Sequence, residues 1–290
     1  EMREQRVVLE HGVDVAPVGR HALGRLAEDL DMARGRLLET GDEAQAGRLA
    51  RAGRSQHGEE LALADVEVHG VDNVPPRGRA MLVGNHSGGW AIDAVMVIAS
   101  MFFELEPPRL AQGMAEKFLQ RMPFLAWFSS RIGQFAGLPE HCVRLLEDER
   151  LLMVFPEGAR GTAKLYRERD SLVSFGTGFV RLALQTKTPI VPFAFVGGGE
   201  AIPTVANLYK LGSFLGVPYV PVTPYGLAVP LPVTLQILYG APIVLEGDPN
   251  DPDELITRHV ETVKQRIAQL IRQGRELREG RLTAQELELR

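Results

Sequence analysis

Several marks of specialised protein classes are scarce or missing in this sequence. It holds a single cysteine, Cys142, in 290 residues, which excludes an intrachain disulfide, a cysteine-based zinc cluster and a CxxC redox pair. So low a thiol content suits a reducing compartment. The seven histidines are scattered without metal-ligand spacing, so no metal site is expected. No apolar run reaches the roughly 20 residues that a membrane-spanning helix needs. The longest, residues 94–103, is interrupted by Ser100. The opening residues are charged and lack the basic-then-apolar pattern of a signal peptide, although a start at Glu1 leaves room for an upstream segment. A net charge of -5 lacks the basic excess of a general nucleic-acid binder, so no nucleic-acid partner is expected. What remains, 45% hydrophobic and 24% charged residues, is ordinary globular composition.

The chain changes texture near Asp65. Residues 1–64 are rich in Arg, Ala, Leu and Glu, with Leu23, Leu26, Leu30 and Leu37 at helical spacing, and read as a helical N-terminal arm. From residue 65 to 290, short apolar runs alternate with helical patterns, which predicts an α/β domain with a mixed, mostly parallel sheet flanked by helices. Strands are expected over 66–69, 80–84, 151–155, 189–196 and 235–239. Helices are expected over 91–103, 140–149 and 178–186, with a last one over about 253–277. That final helix carries Ile256, Val260, Val263, Ile267, Leu270 and Ile271 on one face and opens on the acidic Asp251, Asp253 and Glu254.

Two loops at strand ends carry the candidate chemistry. After the strand over 80–84 comes Asn85-His86-Ser87-Gly88-Gly89-Trp90-Ala91-Ile92-Asp93. A histidine in a glycine-containing loop between strand and helix is held on a rigid scaffold. A carboxylate such as Asp93 can fix its tautomer and stabilise the imidazolium formed when the other nitrogen takes a proton. The second loop, Phe155-Pro156-Glu157-Gly158-Ala159-Arg160-Gly161, also follows an apolar strand. Ligands of open α/β sheets bind at such strand ends. Taken singly, each has a plainer reading. The first is also a loop histidine with an aspartate favouring a helix dipole; the second is also a Pro-Glu-Gly turn with a surface arginine.

Together with Pro189-Ile190-Val191-Pro192, these motifs recur in order and resemble the glycerolipid acyltransferase superfamily, which includes the lysophosphatidic acid acyltransferases. The resemblance covers about residues 65–243 and leaves out the arm and the last helix. It implies an O-acyltransferase that moves a fatty acyl group from acyl-CoA or acyl carrier protein to a hydroxyl of a lipid alcohol. His86 would be the general base, Asp93 its partner, and Glu157, Gly158 and Arg160 the acceptor-binding block. The thioester donor is a co-substrate, and no bound cofactor is implied. The reaction suits these residues, because a thiolate leaves readily and the main need is a base beside a well-placed alcohol.

The pattern departs from the family twice. Its aspartate usually stands where this chain has Ala91, and Asp93 comes two residues later. Members with phosphorylated acceptors carry an arginine between the two motifs, where this chain reads Gly133-Gln134-Phe135-Ala136-Gly137. Arg131 and Arg144 lie nearby but out of pattern. An acceptor without a phosphomonoester is therefore expected.

Residues 109–131 mix Arg109, Lys117, Arg121 and Arg131 with aromatics, among them Phe124, Trp127 and Phe128. Such a segment suits either an interfacial membrane contact or a buried helical hairpin with basic residues reaching outward. The first reading makes the protein peripheral on the cytoplasmic face of the membrane. Gly197-Gly198-Gly199 reads as a turn, and Lys164, Arg167 and Arg169 as a solvated loop within reach of donor phosphates. Two other classes remain open, a non-catalytic lipid-binding or transfer protein of the same fold and a lipid esterase. A serine esterase needs a G-x-S-x-G elbow, and Gly84-Asn85-His86-Ser87-Gly88 misplaces the serine.

Overall fold

The structure, a computed structural model, describes residues 65–87, 92–114, 134–135, 139–226 and 230–289. The expected arm over 1–64 and the aromatic residues Phe124, Trp127 and Phe128 lie outside these. In chain order the first elements are strands β1 (Val66–His69) and β2 (Ala80–Gly84), helix α1 (Ile92–Phe103), and strands β3 (Ala111–Met114) and β4 (Gln134–Phe135). Helix α2 (Pro139–Glu147), strand β5 (Leu151–Val154), the short helix α3 (Ala159–Thr162), helix α4 (Gly178–Thr186) and strand β6 (Ile190–Val196) come next. Then follow the short helix α5 (Gly198–Ala201), strand β7 (Ala206–Leu208), helix α6 (Tyr209–Leu215), strands β8 (Val220–Val222) and β9 (Leu235–Tyr239), and helix α7 (Asp253–Arg278).

A 7-stranded sheet runs in the order β1-β9-β6-β2-β5-β3-β4. All neighbours in it are parallel except β6 with β9, which are antiparallel. β7 and β8 form a separate antiparallel ribbon. The central strands are apolar throughout because both faces are covered. Ala80, Leu82, Leu151, Met153, Phe193 and Phe195 face a layer filled by Val97, Ile98 and Met101 of α1. Met81, Val83, Leu152, Val154, Ala194 and Val196 face the opposite layer, built from α2, α4 and α7.

The predicted face of α7 is the face that packs: Ile256, Val260, Val263, Ile267, Leu270 and Ile271 are all buried. Gly274 brings that helix close to the sheet, since a Cβ there would lie 2.9 Å from Val196 Cγ2. The helix is therefore part of the α/β core. Some features depart from the sequence expectations. β3 was not foreseen, because Ala-Gln-Gly-Met carries no apolar run. The three glycines after β6 open the one-turn helix α5 rather than a simple turn, with Gly197 in a left-handed conformation at φ 102. Arg109 is half-buried and donates to the carbonyls of Pro75 and Gly78, so it fastens a turn. Burial lowers its pKa to about 10 against the pull of Glu149.

Candidate active site

Because β2, β5 and β6 are parallel neighbours, the loops after them open at one edge of the sheet. Gly84 ends β2 with no side chain because the Phe193 ring occupies that space, 2.3 Å from where a Cβ would stand. Asn85 then continues the strand pairing with its side chain. Its Nδ2 donates to Phe195 O at 3.0 Å, and its Oδ1 accepts from Phe195 N–H at 2.9 Å. These bonds pin the residue before the histidine to β6.

His86 is only 8% exposed, and its Nδ1 lies 2.9 Å from Oδ2 of the fully buried Asp93. The shifted aspartate thus reaches the imidazole despite the altered spacing. Asp93 sits in the first turn of α1. Its Oδ2 also accepts from Ser87 N–H at 3.0 Å and its Oδ1 from Ala94 N–H at 2.8 Å, which fixes the carboxylate plane. With Nδ1–H directed at this carboxylate, Nε2 is the nitrogen left to act as a base. The Phe155 ring stacks on the imidazole at 4.0 Å with an interplanar angle of 10°, and is itself held edge-on by Phe193.

The second loop grips the His86 main chain from below. Glu157 Oε2 accepts from His86 N–H at 2.8 Å, while Lys164 Nζ donates to His86 O at 2.7 Å. Lys164 and Glu157 pair at 2.8 Å, with side chains 1% and 0% exposed. The other carboxylate oxygen of Glu157 takes Val173 N–H at 2.7 Å. Burial lowers the Lys164 pKa, opposed by the Glu157 carboxylate and more weakly by Asp93. Lys164 is therefore a buried support, not the solvated loop residue its sequence context suggests. Gly158 adopts φ 57, ψ -151, a conformation that needs glycine, and its N–H closes a turn onto Phe155 O. Gly161 packs directly on the histidine, where a Cβ would come within 2.7 Å of His86 Cβ.

The acceptor block expected from the sequence is therefore split. Glu157 points inward and holds the His86 loop. Arg160 is exposed and reaches Ser174 O at 3.4 Å, which leaves its guanidinium accessible to a ligand. Ser87 Oγ is buried and has no partner among the described residues. The roles of Asn85, Phe155 and Lys164 were not read from the sequence. The motif flagged the neighbourhood of the first two, but no local signal marked the lysine. Among the described residues no group of His, Cys, Asp and Glu is placed to hold a metal ion.

An open α/β sheet thus presents a carboxylate-backed histidine and a Phe-Pro-Glu-Gly turn on adjacent parallel strands. Residues 65–196 match the family model described as Acyltransferase. The chain is similar to an uncharacterized protein of Mycobacterium tuberculosis, 34% identical over 220 residues that make up 71% of this chain and 62% of that protein. It is 29% identical over 220 residues to a Gallus gallus protein named "DGAT1/2-independent enzyme synthesizing storage lipids", with 74% of this chain and 60% of that one covered. The chain thus spans about 60% of the length of these relatives. The fold resembles the crystal structure of the 1-acyl-sn-glycerophosphate acyltransferase PlsC from Thermotoga maritima. That likeness has a TM-score of 0.53 at 17% identity and covers 87% of this chain and 98% of that one.

Proposed function

We propose that this chain is an O-acyltransferase that moves a fatty acyl group from an acyl-CoA or acyl carrier protein thioester to a lipid hydroxyl. The observation that carries the proposal is the 2.9 Å contact between His86 Nδ1 and the buried Asp93 carboxylate. In the proposed reaction Nε2 removes the acceptor's hydroxyl proton as its oxygen attacks the thioester carbonyl. The C–O bond forms, the C–S bond breaks, and the leaving thiolate takes the proton back from the imidazolium. Asp93 stabilises that cation, and a base so placed contributes about 10²–10⁴-fold. Glu157 and Lys164 hold the histidine in register, and Arg160 is the exposed cation that meets the acceptor or the donor.

A neutral lipid alcohol is the favoured acceptor. A phosphomonoester carries nearly two negative charges and calls for more than one cation, commonly a bidentate arginine. Residues 133–137 supply none, and the name of the Gallus gallus relative, which refers to storage lipids, points the same way. Acting on such lipids, the enzyme would work as a peripheral protein at the inner face of a membrane. Among the described residues no helix is long and apolar enough to cross one. The test is purified protein with labelled acyl-CoA or acyl carrier protein and a panel of lipid alcohols and phosphorylated acceptors, with products read by mass. An acylated lipid is the expected product. Thioester left intact with every acceptor, or consumed only by hydrolysis, would count against the proposal.

A further inference from the structure

The segment between α5 and β9 carries more apolar surface than a folded protein leaves in water without use. Phe214 is 85% exposed, Tyr209 59%, Leu215 54%, Leu208 45% and Leu211 43%, all on one β7–α6–β8 excursion. Scattered exposed leucines need no explanation, but a contiguous patch marks a contact surface. The segment is also almost free of charge. From Ala201 to Leu245 the only ionisable Lys, Arg, Asp or Glu is Lys210, in a chain that is 24% charged.

The geometry points to this excursion as a membrane-docking face that seats the enzyme on the lipid bilayer. The inference rests on the proposed lipid acceptor. Gly212 is the one buried residue of α6; a Cβ there would lie 2.5 Å from Tyr219 Cα. This turns Leu211, Phe214 and Leu215 outward. Aromatic rings and leucines with one cation free to reach headgroups are the composition of an interfacial contact. The excursion is also tied to the loop that supports the histidine. Tyr166 N–H donates to Thr204 O at 2.8 Å, Asn207 Nδ2 donates to Ala163 O at 2.6 Å, and the Tyr219 hydroxyl bonds Thr162. Lys164, which holds His86, lies between these anchors. Docking there sets the His86 loop beside the acceptor's own solvent. A second copy of the chain fits less well. A helix of this length is only about 10 Å long, and a stable dimer buries about 800 Å² per partner.

The test compares the full chain with the triple variant Leu211→Ser, Phe214→Ser, Leu215→Ser in flotation with phosphatidylcholine vesicles. Removing three inserted side chains should lower partitioning at least about tenfold. With a single cation in the patch, the wild-type binding should change little with salt and should not require anionic lipid. That separates it from a contact made by the basic residues 109–131, which salt would weaken. The variant should lose transfer to diacylglycerol in vesicles and keep transfer to a short-chain, water-soluble alcohol. Unchanged flotation of the variant, or no flotation of the wild type, overturns the inference. So does a wild-type dimer that the substitutions convert to monomer with vesicle binding intact. Patch-dependent flotation without acyl transfer to either acceptor would sink the proposed activity and leave the docking face standing.

Discussion

Replacing Lys164 by methionine removes the cation that holds both the His86 carbonyl and the Glu157 carboxylate. The side chain is 1% exposed and its partner 0%, so Lys164→Met leaves Glu157 as an isolated buried charge. Breaking such a pair costs about 3–5 kcal/mol. At about 2–4 °C per kcal/mol for a domain of this size, melting should fall by roughly 6–20 °C. The double variant Glu157→Gln, Lys164→Met also removes the stranded charge, so it should recover part of that loss. Turnover should fall more than affinity, because freeing the His86 main chain misplaces the base, and a displacement of about 1 Å can cost about 10²-fold. The pH dependence has a defined sign. Burial lowers the lysine's pKa below its ordinary 10.5, so the unfolded chain binds more protons in the window between the two values. The pH-dependent part of the lysine's contribution is complete above 10.5 and is lost as pH falls through the lowered pKa. The stability gap between wild type and Lys164→Met should therefore widen from neutral to alkaline pH. Thermal melts across that range, with initial rates of acyl transfer, measure both effects. A melting change under about 2 °C with turnover within about twofold would refute the clamp.

Asp93→Asn should keep the fold and lower kcat by about 10²-fold, since a neutral amide cannot stabilise the imidazolium; steady-state rates at wild-type level would remove Asp93 from the mechanism. Gly161→Ala places a methyl 2.7 Å from His86 Cβ and should cost about 1–3 kcal/mol along with most turnover. Melts and rates equal to wild type would show that the loop gives way freely. A diacylglycerol or long-chain alcohol should show a higher kcat/KM than lysophosphatidate. The opposite order, abolished by replacing Arg131 or Arg144, would mean that a cation outside residues 133–137 reads the phosphate.

The parts of the fold that were legible are those where one pattern has one physical meaning. β2, β5 and β6 read as buried strands because covering both faces makes every residue apolar. The last helix read correctly because its apolar period survives over 26 residues. β3 escaped because an Ala-Gln-Gly-Met strand draws its stability from its neighbours β5 and β4, not from its own hydrophobicity. The β7–α6–β8 excursion escaped because its glycines and prolines break any period. In the site, the histidine and the Phe-Pro-Glu-Gly turn were visible as motifs, and the shifted Asp93 still lands within hydrogen-bonding reach. Lys164 was not visible. A lysine in a polar loop reads as solvated, and only the tertiary fold sets it beneath His86 with a carboxylate to match. Glu157 was legible as an important residue, but the direction of its carboxylate belongs to the three-dimensional arrangement.

His86→Ala offers the most direct test of the central claim. The variant should stay folded but melt lower, since it loses a buried ring stacked on Phe155 and bonded to Asp93, while acyl transfer to the best acceptor falls by about 10²–10⁴-fold. The measurement is the rate of labelled ester formation by wild type and variant at equal concentration. A folded His86→Ala protein that retains turnover within about tenfold of wild type would contradict the assignment of His86 as the base.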